Sequence, residues 1–146
     1  MKVGLFGRLE GMSSLRNFFA KLAVVATASF GLAVTGLAVP VPTTGGDANW
    51  YEDTDGSWRS GDIGDSQTSW IEVEVTGPCG VSFKWKTSSE SNCDWLAVSV
   101  DGEEKSRISG ISDDWRNCTF AVAEIGAHTL RWTYSKDDSV SDGDDC

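Results

Sequence analysis

From residue 70 onward, the chain contains several short segments in which apolar and polar residues alternate. In the clearest segment, residues 81–86, Val81, Phe83 and Trp85 fall on one face and the polar residues between them on the other. A period of two predicts a half-buried strand, because successive side chains leave a strand on opposite faces. The same pattern predicts further strands at residues 70–75, 95–100, 105–109, 118–122 and 128–134.

Turn-forming residues separate these segments. Asp101-Gly102 predicts a tight hairpin turn, and the glycines and the proline of residues 76–80 predict another turn. Residues 49–65 are rich in Gly, Asp and Ser and are predicted to be a loop with one short strand. Antiparallel strands at this spacing predict an all-β fold, an antiparallel two-sheet β-sandwich of jelly-roll type.

The first 38 residues have the order of a secretory signal peptide. Basic residues precede an apolar run over residues 22–34, and Gly36 and Ala38 supply the small residues of a cleavage site. We therefore predict a helical signal peptide at 1–38, a linker at 39–49 and the β module at 50–146. Translation from Met12 would give a shorter leader. The alternative is a membrane anchor over residues 22–39, which is just long enough to span a bilayer.

The net charge of the chain limits the classes of partner that it can bind. The chain has 12 basic and 22 acidic residues, and removal of the leader leaves 8 basic and 21 acidic ones. So acidic a module has no electrostatic attraction for nucleic acid or for an anionic membrane. The expected destination is outside the cell or at its surface, with no stable membrane insertion after cleavage.

The order of several motifs is similar to that of one known family. The motifs are SGDIGDSQTSW at 60–70, VTGP at 75–78, FKWK at 83–86, SSE at 88–90, DG at 101–102, ISG at 108–110 and HTLRWTYSKD at 128–137. This pattern resembles a MAM- or laminin-G-like jelly-roll module that is repeated in large exported bacterial proteins. The resemblance covers residues 50–146 and implies no enzymatic activity.

One departure concerns the end of the chain. In the family, the segment that resembles residues 139–146 continues into a Gly-Trp-Val-Asp strand, whereas this sequence ends at Cys146. The resemblance therefore implies that the last strand is missing, and a sandwich that lacks a strand exposes an unpaired edge. Either the sequence is a fragment or a partner fills the gap.

Four cysteines in an exported chain suggest disulfides. If neighbouring strands run up and down, Cys79 and Cys93 lie at opposite ends of a strand about 20 Å long, too far apart for a bridge. Cys93 and Cys118 share the other end, which makes Cys93–Cys118 the preferred bridge. The alternative is that all four cysteines are reduced.

The same end of the predicted sandwich gathers acidic loops. Calcium prefers six to eight oxygen ligands, so a loop calcium site is a hypothesis, and no other cofactor is expected. Its candidate ligands are Asp137, Asp138, Asp142 and Asp144. The alternative is a solvated acidic loop that keeps the protein soluble.

A glycan site is the second hypothesis. Alternation places Trp95 on the outward face of its strand, beside Asn92 and Asp94, and Trp115 lies in an adjacent loop. Exposed aromatic rings stack on sugars while carboxylates and amides bind hydroxyls. The alternative is that both tryptophans cap the core, as Trp85 and Trp132 are expected to do from their inward parity.

Catalytic sites that depend on histidine lack the required residues, whereas the carboxylate pairs that glycosidases use are abundant in a module of about a hundred residues with no evident cleft. His128 is the only histidine, its parity is inward, and no nucleophile elbow is present. The expected function is therefore a non-catalytic binding or spacer module of an exported bacterial protein, with a glycan or a neighbouring protein domain as partner. The alternatives are an adhesive protein–protein module without a small ligand, and a fragment of a larger secreted hydrolase.

Overall fold

The computed structural model describes residues 1–4 and 41–138, within which the chain forms strands and no helix. The described strands are β1 (Lys2–Gly4), β2 (Thr43–Gly46), β3 (Tyr51–Glu52), β4 (Trp58–Arg59), β5 (Thr68–Lys86), β6 (Trp95–Val100), β7 (Glu103–Ile108) and β8 (Arg116–Ser135). All of their pairings are antiparallel. The prediction of an all-β, antiparallel domain is confirmed, and the predicted signal-peptide helix falls on residues outside the described ones.

Two long strands form the centre of the sheet. The strand order is β3-β4-β1-β5-β8-β6-β7, and β2 pairs with β5 beside this path. β5 and β8 form one antiparallel ribbon, which runs from the pair Thr68↔Ser135 to the pair Trp85↔Arg116. The shorter strands attach to one or the other half of this ribbon.

Alternation along β5 explains why this strand is so long. Every second residue of β5, from Ser69 to Trp85, is buried, and the parity does not change through the whole strand. Strand geometry puts these residues on one face, so a single apolar face continues past the glycines and the proline in its middle. The strand ends where the apolar alternation ends.

The ribbon bends so that its two halves face each other. Phe83 pairs with Cys118 in one half, and Trp132 pairs with Ile71 in the other. On a straight strand, Ile71 and Phe83 would be roughly 40 Å apart at about 3.3 Å per residue. The rings of Phe83 and Trp132 nevertheless meet edge to face with centroids 5.2 Å apart. The apolar face of one half therefore packs on that of the other.

Glycine permits the bend. The pairing register shifts between Gly77 and Cys79, which marks a bulge, and Pro78 there has no partner in the ladder. A bulge leaves one residue unpaired and bends the strand, which suits a proline without an N–H. A Cβ atom on Gly77 would collide with the carbonyl oxygen of Glu124, so only glycine fits this close approach.

One core cluster contains residues from both halves of the ribbon. Phe83, Trp85, Leu96, Leu130, Trp132 and Tyr134 are its most deeply buried large side chains. The predicted core positions of Trp85 and Trp132 are confirmed. Aromatic edge-to-face contacts join Phe83 to both tryptophans at 5.2 Å.

Two predicted turns are wrong: the turn at residues 76–80 and the one implied between the predicted strands 118–122 and 128–134. Residues 76–80 lie inside β5 and residues 123–127 inside β8, and Thr76 pairs directly with Ala127. The bulge absorbs the glycine and proline residues, and the β5–β8 ladder continues on both sides of the bend. The predicted grouping of the loops at two ends is nevertheless retained. At one end Ser112 N donates to the Thr87 carbonyl, and at the other Gly77 and Asp101 lie against Glu124 and His128.

The remaining predictions agree with the structure only in part. The hairpin turn at Asp101-Gly102 is confirmed, and both residues have the positive φ values of a tight hairpin turn, 51° and 86°. Residues 49–65 contain two short strands, β3 and β4, where one was expected. β2 forms within the predicted linker, and β1 forms within the predicted leader, between β4 and β5.

Candidate binding surface

The outer face of β5, β8, β6 and β7 carries the polar and aromatic side chains that the core excludes. Cross-strand register aligns Trp70, Thr133, Ala97 and Arg107 in one row across the four strands. Residues directly opposite each other on neighbouring strands share a face, so this row belongs to one surface. We call this surface, which also includes Glu72, Trp95, Ser99 and Arg131, the outer face.

Trp95 lies on the outer face, as alternation predicts. Its side chain is half-buried, and the guanidinium carbon of Arg107 lies 4.3 Å from the ring centroid. The contact is diagonal, because Arg107 pairs with Ala97, two residues along β6. Arginine stacked on an indole fixes the ring orientation, which is what a platform for another flat or ring-shaped group requires.

Trp70 forms a second stack on the same face, and the sequence reasoning missed it as a site residue. The guanidinium carbon of Arg131 lies 4.3 Å from its ring centroid, and Arg131 donates to Glu72 through Nε at 2.8 Å. Trp70 also covers Gly45 on β2, where a Cβ atom would collide with the indole. The outward parity of Trp70 beside Ile71 was a signal that could have indicated this position.

A polar hollow lies between the strands of this face. It has a volume of about 380 Å³ and is lined by Glu72, Ser99, Asp101, Gly102, Thr129 and Arg131. Its hydroxyl, carboxylate and guanidinium groups can donate to and accept from the hydroxyls of a ligand. Small side chains at Ala97 and Thr133 separate the hollow from Trp95.

Two predicted glycan residues occupy different environments. Asn92 is exposed, and its backbone N–H donates to Ser109 Oγ at 3.0 Å. Asp94 has no solvent exposure, and its Oδ1 accepts from the backbone N–H of Asp137 at 3.2 Å. Its other oxygen lies 3.5 Å from the Tyr134 hydroxyl. The prediction of Asp94 as a glycan ligand is wrong, because the alternation that turns Trp95 outward turns Asp94 inward.

Trp115 adjoins the other half of the ribbon from Trp95. It precedes β8, whose first residue pairs with Trp85, whereas Trp95 pairs with Ser135 at the other end of β8. Lys86 Nζ lies 5.4 Å from the Trp115 ring centroid. The loop that carries Trp115 contacts the loop before Trp95, since Ser112 N donates to the Thr87 carbonyl at 2.8 Å.

A thiol and two carboxylates meet beside Asp94. The ligand atoms of Glu90, Cys93 and Asp137 all lie within 4.8 Å of one another, so these are the described residues that could hold a metal ion. A hydrogen bond to Glu90, burial and the charge of Asp137 raise the pKa of Cys93 to about 11. Of the predicted calcium ligands, Asp137 lies here, Asp138 is exposed nearby, and Asp142 and Asp144 lie outside the described residues.

The described cysteines are free thiols, so the predicted Cys93–Cys118 bridge is wrong. Cys93 lies beside Glu90 and Asp137, whereas Cys118 pairs with Phe83 in the other half of the ribbon and contacts Ser106. Both cysteines were placed at one end of the predicted sandwich, but a shared end is not sufficient for a bridge, because their side chains have different partners. Burial raises the pKa of the Cys79 and Cys118 thiols.

The described residues include no helix that is long and apolar enough to cross a membrane. The predicted anchor alternative at 22–39 lies outside these residues. Comparison of the chain with protein-family models, with curated proteins and with solved structures gave no match.

Proposed function

We propose that this chain is an exported, non-catalytic β-sandwich module of jelly-roll type that binds a glycan on the outer face. The contact between Phe83 and Trp132 supports a two-layer sandwich, because it requires the two halves of the ribbon to face each other. The leader-like first 38 residues and the acidic composition support export.

The observation that carries the glycan proposal is the position of Trp95. Its ring is half-buried, oriented by Arg107, and separated from the polar hollow at Glu72 and Arg131 only by small side chains. An aromatic platform beside converging polar groups is the arrangement by which proteins hold the apolar face and the hydroxyls of a sugar.

A panel of soluble polysaccharides in affinity electrophoresis tests the proposal. We expect at least one polysaccharide to retard the wild-type chain and Trp95→Ala to abolish the retardation with little change in Tm. Tyr51→Ala is the matched control, because Tyr51 is an exposed aromatic on β3, away from the outer face. The proposal is dropped if no polysaccharide retards the wild type, or if both variants lose binding equally.

A protein partner is the alternative ligand, and exposed apolar side chains favour it. Ile125 on β8 is 89% exposed and Ile111 is 61% exposed. Both side chains are accessible to a partner protein. Crosslinking of the exported protein in its native cells distinguishes the alternatives: a discrete adduct that Ile125→Ser removes and Trp95→Ala leaves intact supports a protein partner.

The second proposal is a calcium ion held by carboxylates at Asp137 and Glu90. Their approach within 4.8 Å supports it, although the thiol of Cys93 is not a ligand that calcium prefers. Millimolar calcium should raise Tm, a chelator should reverse the rise, and Asp137→Asn should remove it, with Asp113→Asn as the control. An unchanged Tm in calcium refutes this proposal and leaves the glycan proposal standing.

A further inference from the structure

A buried histidine joins two parts of the sheet that are distant in sequence. His128 on β8 is 8% exposed, and its Nδ1 lies 2.6 Å from Asp101 Oδ2 in the turn between β6 and β7. Its Nε2 lies 3.1 Å from the carbonyl oxygen of Glu124, at the bend of β8. One imidazole ring therefore connects the hairpin turn to the bend.

Both partners of the ring are acceptors. A backbone carbonyl carries no proton, and an ionised carboxylate carries none. A neutral imidazole has one N–H and one lone pair, so it can satisfy only one of these two contacts. The doubly protonated imidazolium satisfies both, and the geometry at His128 therefore fits the charged ring.

The charges around the ring support the same form. Asp101 faces it from the turn, and Glu103 and Lys105 on β7 line the same hollow together with Glu124. On β5, the residue opposite His128 is Val75, while Glu74 pairs with Thr129 and points to the other face. Acidic groups therefore outnumber the single lysine, and none of them is on the β5 side.

Asp101 is itself held in place for this contact. Its Oδ1 accepts from the backbone N–H of Thr129 at 2.8 Å, and its own N–H donates to the Thr129 carbonyl at 2.9 Å. The Asp101 carboxylate thus bonds to two successive residues of β8. Its Oδ2 bonds to the His128 ring, and its Oδ1 accepts from the backbone N–H of Thr129. The turn cannot leave β8 without breaking all three contacts.

We propose that His128 and Asp101 form a pH-sensitive latch, which fastens the β6–β7 turn to the bend of β8 when the imidazole is protonated and loosens it when the proton is lost. Below the latch lies a hollow of about 320 Å³, whose apolar lining includes Val100 and Val122. Loss of the proton breaks the bridge between the turn and the bend and leaves the turn tied to β8 through Thr129 alone.

The sign of the effect follows from both partners. The hydrogen bond to Asp101 raises the pKa of His128 above its usual value of 6.5, so the stabilisation is fully present below 6.5 and is lost as pH rises through the folded-state pKa. The same contact lowers the pKa of Asp101 below 3.8, so the carboxylate keeps its charge down to mildly acid pH. The latch is therefore closed in mild acid and opens toward alkaline pH.

The sole histidine of the chain makes the test direct. In an NMR titration of the full chain, we expect the His128 ring resonances to move with a midpoint above 6.5, and both ring nitrogens to be protonated at pH 6. The amide resonances of Gly102 and Glu124 should move with the same midpoint. If the wild type shows a midpoint at or below 6.5, or a neutral ring at pH 6, the proposal is overturned without recourse to any variant.

Two variants separate the latch from a general effect of charge. Asp101→Asn should lower the His128 midpoint and uncouple the Gly102 amide from it. Glu104→Gln removes the same charge from an exposed site on β7 and should leave the midpoint within error of the wild type. Equal shifts in both variants would show that only the net acidic charge acts on the ring, and the latch would be rejected.

Discussion

Phe83 and Trp132 meet edge to face at 5.2 Å although they belong to opposite halves of the β5–β8 ribbon. This contact cannot form on a straight ribbon, so it shows directly that the two halves face each other. It also identifies the side chains on which the packing of the two halves depends.

Truncation of Phe83 should therefore be costly. Phe83→Ala removes a ring that is 1% exposed and that contacts Trp85, Phe120 and Trp132. We expect a loss of about 3–5 kcal/mol in the free energy of unfolding, measured by urea denaturation. Phe120→Ala, in a ring that is only partly buried at the edge of the cluster, should cost clearly less. Equal losses would mean that Phe83 does not join the two halves.

Substitution by alanine should affect stability differently at the two glycines of β5 around the bulge. Gly77→Ala places a Cβ atom against the Glu124 carbonyl oxygen, and we expect a loss of about 1–3 kcal/mol in stability. Gly80→Ala meets no atom within 4 Å and should change stability by less than about 1 kcal/mol. Thermal melts of the two variants check this, and a harmless Gly77→Ala would show that the bend does not need the close approach.

The thiol of Cys93 should resist alkylation near neutral pH. Its pKa is raised to about 11, first by the hydrogen bond to Glu90. The thiolate is the reactive form, so the rate of iodoacetamide modification should rise only at strongly alkaline pH. Glu90→Gln should shift this rate profile to lower pH, whereas Glu74→Gln, on an exposed site of β5, should not. A profile centred near pH 8.5 in the wild type would contradict the burial of this thiol beside two carboxylates.

Cleavage of the predicted leader has a structural consequence that can be measured. β1 lies between β4 and β5, Met1 is 4% exposed, and Lys2 Nζ lies 2.7 Å from Asp53 Oδ2. A chain that starts at residue 39 loses this strand and leaves the edges of β4 and β5 unpaired there, so we expect a lower urea midpoint than for the full chain. An equal midpoint would show that β1 adds nothing to the stability of the sheet. Mass spectrometry of the protein purified from its native cells then decides which form exists.

Local alternation predicted the longer strands, β5 to β8, although it divided β5 and β8 into two segments each. Trp95–Val100 agrees at both ends with β6, and the predicted strand at residues 105–109 differs from β7 by two residues at its start and one at its end. Alternation depends only on which face each residue presents to a core, and that information is local. Asp101-Gly102 was equally predictable, because its turn requires positive φ at both residues.

The connection between the strands could not be predicted in the same way. Residues 76–80 contain the glycines and proline typical of a turn, yet a bulge at Pro78 lets β5 continue. Whether such a segment breaks the ladder or lets it continue around a bend is decided by long-range packing, here by Phe83 against Trp132.

Only part of the candidate surface could be predicted from the sequence. Parity placed Trp95 outward, but the stacks of Arg107 on Trp95 and Arg131 on Trp70 depend on diagonal contacts between strands. Such contacts require the register, which the sequence alone does not provide. The burial of Asp94 was available from parity, since Asp94 and Leu96 fall on the same face.

The continuous apolar face of β5 has a consequence for biosynthesis. Pairing of Thr68 with Ser135 closes a long loop, whereas pairing of Trp85 with Arg116 closes a loop less than half as long. The entropic cost of loop closure is therefore lower when pairing begins at the Trp85 end. Sheets built from such distant pairs fold slowly. Until β8 arrives, Thr68–Lys86 presents a long β-forming stripe to other chains, and this segment is where we expect aggregation to begin during overproduction.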